Sequence, residues 1–170
     1  MSEEKQVLYD LRTMYSGPFL VEDFYADVDR WIREKGYEKE LKKKMEHVTK
    51  NGKRIEWVIE INFHLDELHH GDIQLRALMD NVTETVIKRG KKKVRINNGD
   101  VLINVNAFLI AHIHGSFFQV KPIYYFIRTL IDKYVWNFWS DKWDGTVNSE
   151  GRELFKRISA FFEVQKHKYV

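Results

Sequence analysis

The sequence predicts an α+β domain: an antiparallel sheet of about five or six strands, an N-terminal helix, and two C-terminal helices packed on one face of the sheet. Three observations lead there. In two long segments, Ile55 to Leu65 and Val101 to Ile113, every second residue is apolar without a break. A period of two places those side chains on one face, as in a strand with one side buried. The regions outside this block switch to helical spacing: Phe24, Val28, Trp31 and Ile32 before it, and Ile123, Phe126, Ile127, Leu130, Ile131, Tyr134 and Phe138 after it. Strands grouped together, with helices on either side of them in the chain, point to an antiparallel sheet.

Taken in order, Val7 to Tyr15 alternates weakly and fits a first strand or an ordered arm, and Ser16-Gly17-Pro18 reads as a turn. Helix one is predicted from about Val21 to Lys35. Glu22, Asp23, Asp27 and Asp29 lie toward its start and Arg30, Arg33 and Lys35 toward its end, as the helix dipole favours, and Gly36 stops it. From Lys39 the period is two. A three-residue loop Lys50-Asn51-Gly52, with Gly52 left-handed, pairs Trp57 with Met45 and Ile61 with Leu41, a better apolar match than a two-residue turn provides. Ile73, Leu75, Ala77 and Met79 mark the next strand. Asn98-Gly99 has the chemistry of a type I′ turn, so Lys91 to Ile113 reads as a hairpin in which Val101 faces Ile96 and Ile103 faces Val94. Pro122 suits the first position of an aromatic helix reaching Phe138. Ser140 to Asn148, containing Trp143 and Gly145, reads as a polar loop. Leu154, Phe155, Ile158, Phe161 and Phe162 then mark a last helix capped by Asn148 or Ser149.

A chain of 170 residues is read as a single domain over 1–170, large enough to bury roughly 70% of the surface its unfolded form exposes. With no cysteine, thiol nucleophiles, disulfides and thiolate zinc sites are excluded, and the composition fits a reducing compartment. The first residues lack a basic leader followed by an apolar run, and no uncharged stretch approaches the ~18 residues of a membrane span. A cytoplasmic protein without a membrane span is expected, and no motif calls for a cofactor. The net charge is only +3, but it is unevenly spread: six of the eight residues from Lys88 to Arg95 are basic, whereas Glu22, Asp23, Asp27 and Asp29 crowd the early part of helix one. An aromatic content of 14% belongs to a packed protein rather than a disordered one.

Gly17-x-Phe19, Tyr25, Trp31 and Gly36-Tyr37 resemble the corresponding region of a group of small archaeal proteins of uncharacterised function. The basic segment ending in Asn98-Gly99, the long alternating strand and the aromatic helix are similar too, so the resemblance spans most of the chain. It implies an archaeal, cytoplasmic protein and carries over no functional residue.

The leading expectation is a non-enzymatic binding protein whose basic hairpin, through Lys88, Arg89, Lys91, Lys92, Lys93 and Arg95, docks on RNA or a ribonucleoprotein. Cations concentrated on a loop neutralise phosphates and release counterions. No RNP-type aromatic motif or KH-type loop accompanies them, so contact is expected to be electrostatic rather than sequence-specific. Lys42, Lys43 and Lys44 extend the patch only if their strand is near. The competing readings are an edge strand guarded by lysines and a contact with an acidic membrane or protein surface. A second expectation is a module for a small apolar ligand, its pocket lined by Tyr125, Phe126, Trp136 and Trp139, although aromatic stripes at helical spacing are usually core. A third is a metal-dependent enzyme using His64, His112 and His114 with one carboxylate; that spacing is unspecific. Glu56 and Glu60 share a strand face but are not readable as a glycosidase pair. No phosphate loop or nucleophile elbow is present, so no catalytic residue is assigned.

Overall fold

Where alternating segments lie side by side, their apolar faces merge into one surface, and that surface orders this fold. The computed structural model describes residues 2–112, 130 and 137–169. Its elements are β1 (Ser2–Phe19), α1 (Val21–Lys35), β2 (Glu38–Thr49), β3 (Gly52–His64), β4 (His69–Arg89), β5 (Lys92–His112) and α2 (Asn137–Tyr169). The strands form one antiparallel sheet in the order β1-β5-β4-β3-β2. Across its centre Ile59 pairs with Leu75 and Leu75 with Val105, while Ile61 pairs with Ile73 and Ile73 with Ala107. All six are fully buried.

Both helices cover this inner face. α1 contributes Phe24, Val28, Trp31 and Ile32, and α2 contributes Val147, Leu154, Ile158 and Phe162. The ring of Phe24 lies 5.4 Å from that of Phe162 and 5.7 Å from that of Trp57, joining helix to helix and helix to sheet. Above this layer Arg157 of α2 donates to Asp27 and Glu34 of α1, and Lys35 reaches Glu150 and Glu153. α1 has the expected limits. Gly36, at φ 71°, lets its own N–H and that of Tyr37 return to the carbonyls of Arg33 and Ile32.

The α+β class, the antiparallel sheet and the N-terminal helix agree with the sequence, and several details do not. β1 begins at Ser2 and runs through Ser16-Gly17-Pro18, which pair with Asp100, Gly99 and Asn98 instead of turning. Pro18 is tolerated because β1 is an edge strand, where a missing N–H interrupts no second ladder. The hairpin between β4 and β5 turns at Gly90-Lys91, with Arg89 opposite Lys92 and Gly90 at φ 64°, not at Asn98-Gly99. Ile96 therefore faces Thr85, and Val94 faces Ile87. Gly99 lies inside β5 opposite a bulge of β4, where Asn81 takes φ 55°. A Cβ at Gly99 would stand 2.9 Å from the Asp80 carbonyl oxygen and 3.1 Å from Val82 Cα, so glycine serves a close approach there.

The β2–β3 loop is Lys50-Asn51, with Thr49 opposite Gly52, Trp57 opposite Lys44 and Ile61 opposite Lys39. The expected apolar pairing carries no weight because β2 is exposed along its whole length, so matching it to β3 buries nothing. Gly52 does take a positive φ, 138°.

The segment 140–148 is helix rather than loop, and among the described residues a single C-terminal helix replaces the expected two. Tertiary contacts outweigh its weak local preference. Val147 is fully buried, a Cβ on Gly151 would meet Leu8 and Ala107, and Asp141 and Asp144 both receive Lys5. The aromatic helix expected from Pro122 falls mostly outside the described residues, as do Tyr125, Phe126, Trp136 and the side chain of Trp139. Among the described residues no helix is long and apolar enough to cross a membrane.

Two glycine substitutions test this account by urea denaturation. Gly99→Ala forces two backbones apart and is expected to lower stability by roughly 1–3 kcal/mol. Gly145→Ala, helical and with nothing within 4 Å of the added carbon, is expected to raise it by about 0.5–1 kcal/mol. A loss at Gly145 would speak against continuous helix there.

Candidate nucleic-acid interface

β4 and β5 are the longest strands, and their neighbours do not follow them to the end. β3 accompanies β4 only as far as Val82, opposite Lys53, and β1 accompanies β5 only as far as Asn97, opposite Phe19. Beyond that, Thr85↔Ile96 through Arg89↔Lys92 pair with each other and, among the described residues, with no third strand. At ~3.3 Å per residue, this two-stranded ribbon and its turn extend about 15 Å.

Residues directly opposite in an antiparallel pair share a face. Val86, Lys88, Lys93 and Arg95 therefore occupy one side of the ribbon, and Ile87, Arg89, Lys92 and Val94 the other, with Lys91 in the turn. All six cationic residues expected from the sequence come together here and all are exposed. None makes an ion pair among the described residues. Lys88 opposes Lys93 and Arg89 opposes Lys92, and each such like-charge rung costs on the order of 0.2–1 kcal/mol.

The lysines of β2 behave differently. Lys42 is held by Glu40 and Glu60 at 2.9 and 3.1 Å, Lys43 by Glu56 at 2.7 Å, and Lys44 sits over the Tyr25 ring at 5.1 Å. β2 is also separated from β4 by β3. These lysines do not extend the ribbon's patch.

The opposite end of the sheet gathers histidines. His64, His70 and His112 stand on β3, β4 and β5, with ring centroids 6.5 Å apart for the first two and 4.6 Å for the second two, which stack at 23°. Burial, then the charges of His112 and His64, holds the His70 imidazole below its usual pKa. The rings border a groove of about 250 Å³ together with Asn62 and Asp66. His114 lies outside the described residues, and among those described no three metal-ligating side chains converge. Nothing in the sequence singles out His70, since Asp66 to His70 has the local composition of a turn, whereas β4 already begins at His69. Asp66 organises that turn, accepting from the Leu68 and His69 N–H groups at 2.8 Å and from Trp143 Nε1 at 3.0 Å. Burial pushes its carboxyl up, but the hydrogen bonds from Leu68 and His69 prevail and leave it at about 2.

Glu56 and Glu60 lie on the outer face, and Glu56 is held below the usual range by Lys43 and Arg76. Glu60 meets Asp72, which sits between Asn62 and Phe108 and is only 4% exposed. Burial, reinforced by its hydrogen bond with Glu60, pushes the Asp72 carboxyl up to about 8.

No protein-family model and no curated protein matches this chain. The functional reading therefore rests on the chemistry of the surfaces themselves.

Asp72 gives a pH test. Its carboxyl keeps a proton up to about 8 in the folded chain, but only up to roughly 4 when unfolded. The folded state thus binds the extra proton between those values, and the stability that Asp72 contributes falls as pH rises through that window. Asp72→Asn should remove this decline, making the variant more stable than the parent at pH 8 by roughly 1–3 kcal/mol. Urea midpoints at pH 5 and pH 8 check this, and an unchanged pH profile would count against it.

Proposed function

We propose that this chain is a non-enzymatic, cytoplasmic nucleic-acid-binding protein whose β4–β5 ribbon docks on RNA or a ribonucleoprotein. The observation that carries the reading is the ribbon itself: a two-stranded arm that, among the described residues, no third strand joins and whose six exposed cationic residues no acid neutralises. A guarded sheet edge explains the lysines of β2, where Lys42 and Lys43 are each paired with a glutamate. It does not explain two successive rungs of like charge. Their repulsion is a cost in the free protein that a polyanion relieves.

Both faces of the ribbon present cations, so phosphates on either side of a strand or groove are within reach of one arm. The ribbon carries no aromatic side chain, and its apolar Val86, Ile87 and Val94 have no hydrogen-bonding groups with which to read base edges. Binding is accordingly governed by phosphate contacts and is nearly indifferent to sequence. The archaeal setting implied by the sequence resemblance adds no residue to this site.

A fluorescent RNA of mixed sequence, titrated across a salt series, tests the proposal. The affinity should fall steeply with salt, and the combined change Lys91→Gln, Lys92→Gln, Lys93→Gln should lower the slope of log K against log salt by about 2–3. These residues are exposed, so the fold is expected to survive. Absence of binding at low salt, or an unchanged slope in the variant, would overturn the reading.

A further inference from the structure

The outer face of the sheet, away from α1 and α2, contains a built irregularity that the ribbon does not use. β1 loses register with β5 twice, between Gln6 and Leu8 and between Leu8 and Leu11. At the second break Asp10 takes a left-handed φ of 49°, a conformation that is strained for a non-glycine residue. Two asparagines of β5 hold it there. Asn106 Oδ1 accepts from the Asp10 backbone N–H at 2.8 Å, Asn106 Nδ2 donates to Asn104 Oδ1 at 2.9 Å, and Asn104 Nδ2 donates to the Asp10 carboxylate. Bulges of this kind re-aim side chains and recur beside binding sites.

The consequence is an open cleft of about 390 Å³ between β1 and the β4–β5 pair, with Leu78 and Leu102 among its lining. Two guanidinium groups border it, each braced by a carboxylate. Arg12 Nε donates to Asp10 Oδ1 at 2.7 Å, and Arg76 donates through Nε and Nη2 to Glu56 Oε1 at 3.2 and 3.0 Å. Both Nη groups of Arg12 and Nη1 of Arg76 make no hydrogen bond among the described residues. Glu56 is further neutralised by Lys43, so Arg12, Arg76 and Lys43 set against Asp10 and Glu56 leave one positive charge. Beside them the Tyr9 side chain is largely in solvent, the residue being 78% exposed.

We propose that this cleft binds a nucleoside monophosphate unit, either free or as one residue of a single-stranded RNA. Braced guanidinium groups suit the paired oxygens of a phosphate. An exposed aromatic ring suits the face of a base. The apolar leucines provide a contact surface for base or sugar, and the volume falls in the range of small-ligand sites. The Leu78↔Leu102 rung lies on the same two strands, farther from the turn than the ribbon, and shares no residue with it. The proposal therefore stands apart from the ribbon's function.

The test is calorimetric titration of the full chain with adenosine, guanosine, uridine and cytidine 5′-monophosphates, with inorganic phosphate alone, and with a single-stranded RNA tetranucleotide. The tetranucleotide arm uses the triple lysine-to-glutamine chain, which removes the ribbon's contribution. Binding of a monophosphate or the tetranucleotide is expected, with inorganic phosphate weaker. Tyr9→Ala should weaken it roughly 5-fold or more. Arg76→Gln should weaken it too, while leaving Glu56 its partner Lys43. Preference for the monomer assigns a free nucleotide, and preference for the tetranucleotide assigns a strand of RNA. No binding by either, or binding that neither Tyr9→Ala nor Arg76→Gln weakens, or inorganic phosphate binding as tightly as the nucleotides, would overturn the proposal.

Discussion

Burial of one face of the β3–β4–β5 ladder is the constraint on which the rest of the molecule depends. The rungs through Ile59, Leu75 and Val105 and through Ile61, Ile73 and Ala107 bring together branched or small side chains that are fully buried. A shift of one residue in any of these strands would turn its apolar set outward, so the central register is held far more firmly than that of the edges. The helices follow from it. Each has one apolar stripe, and the sheet's inner face is the surface on which both stripes are buried, with Phe24 against Trp57 and Gly151 against Leu8 and Ala107.

Because the centre is so strongly specified, irregularity is displaced to the margins. β1 carries two register breaks, β2 one near Lys42, and β4 one at Asn81 and Val82, just before the ribbon separates from the sheet. The last of these is tied to two glycines. Gly99 lies against the carbonyl of Asp80, and Gly52 against that of Val82, so three chain segments converge at one point with no room for side chains. Beyond that point β3 and β1 stop accompanying their neighbours, and the two longest strands continue without them.

Charge is sorted by the same geometry. Between the helices, acids of α1 meet Arg157 of α2, and acids of α2 meet Lys35 of α1. On the outer face the glutamates of β3 take the lysines of β2. The ribbon has no comparable supply of acids, so its cations face solvent. Exposed ion pairs are individually worth ~0–1 kcal/mol, and the significance of this sorting lies in which charges it leaves uncompensated.

The α+β class, the limits of α1, the strand faces and the identity of the basic cluster are legible in the sequence, because each depends on periodicity or local chemistry within one segment. The alternation of Val101 to Ala111 and the stripe of Phe24, Val28, Trp31 and Ile32 needed no neighbour to be recognised. Tertiary structure alone decided where the chain turns. Asn98-Gly99 has every local mark of a hairpin, but Gly99 is used for a close backbone contact, and the turn moved to Gly90. The β2–β3 register went to the loop because an exposed strand gains nothing from apolar matching. The helix across residues 140–148 came from contacts with β1 and β5 that are more than a hundred residues away in places. The candidate surfaces divide the same way. The six ribbon cations are consecutive enough to be seen in the sequence, whereas Tyr9, Arg12, Arg76 and Asn104 come from three strands and meet only when the sheet's order and the bulges of β1 bring them to one cleft.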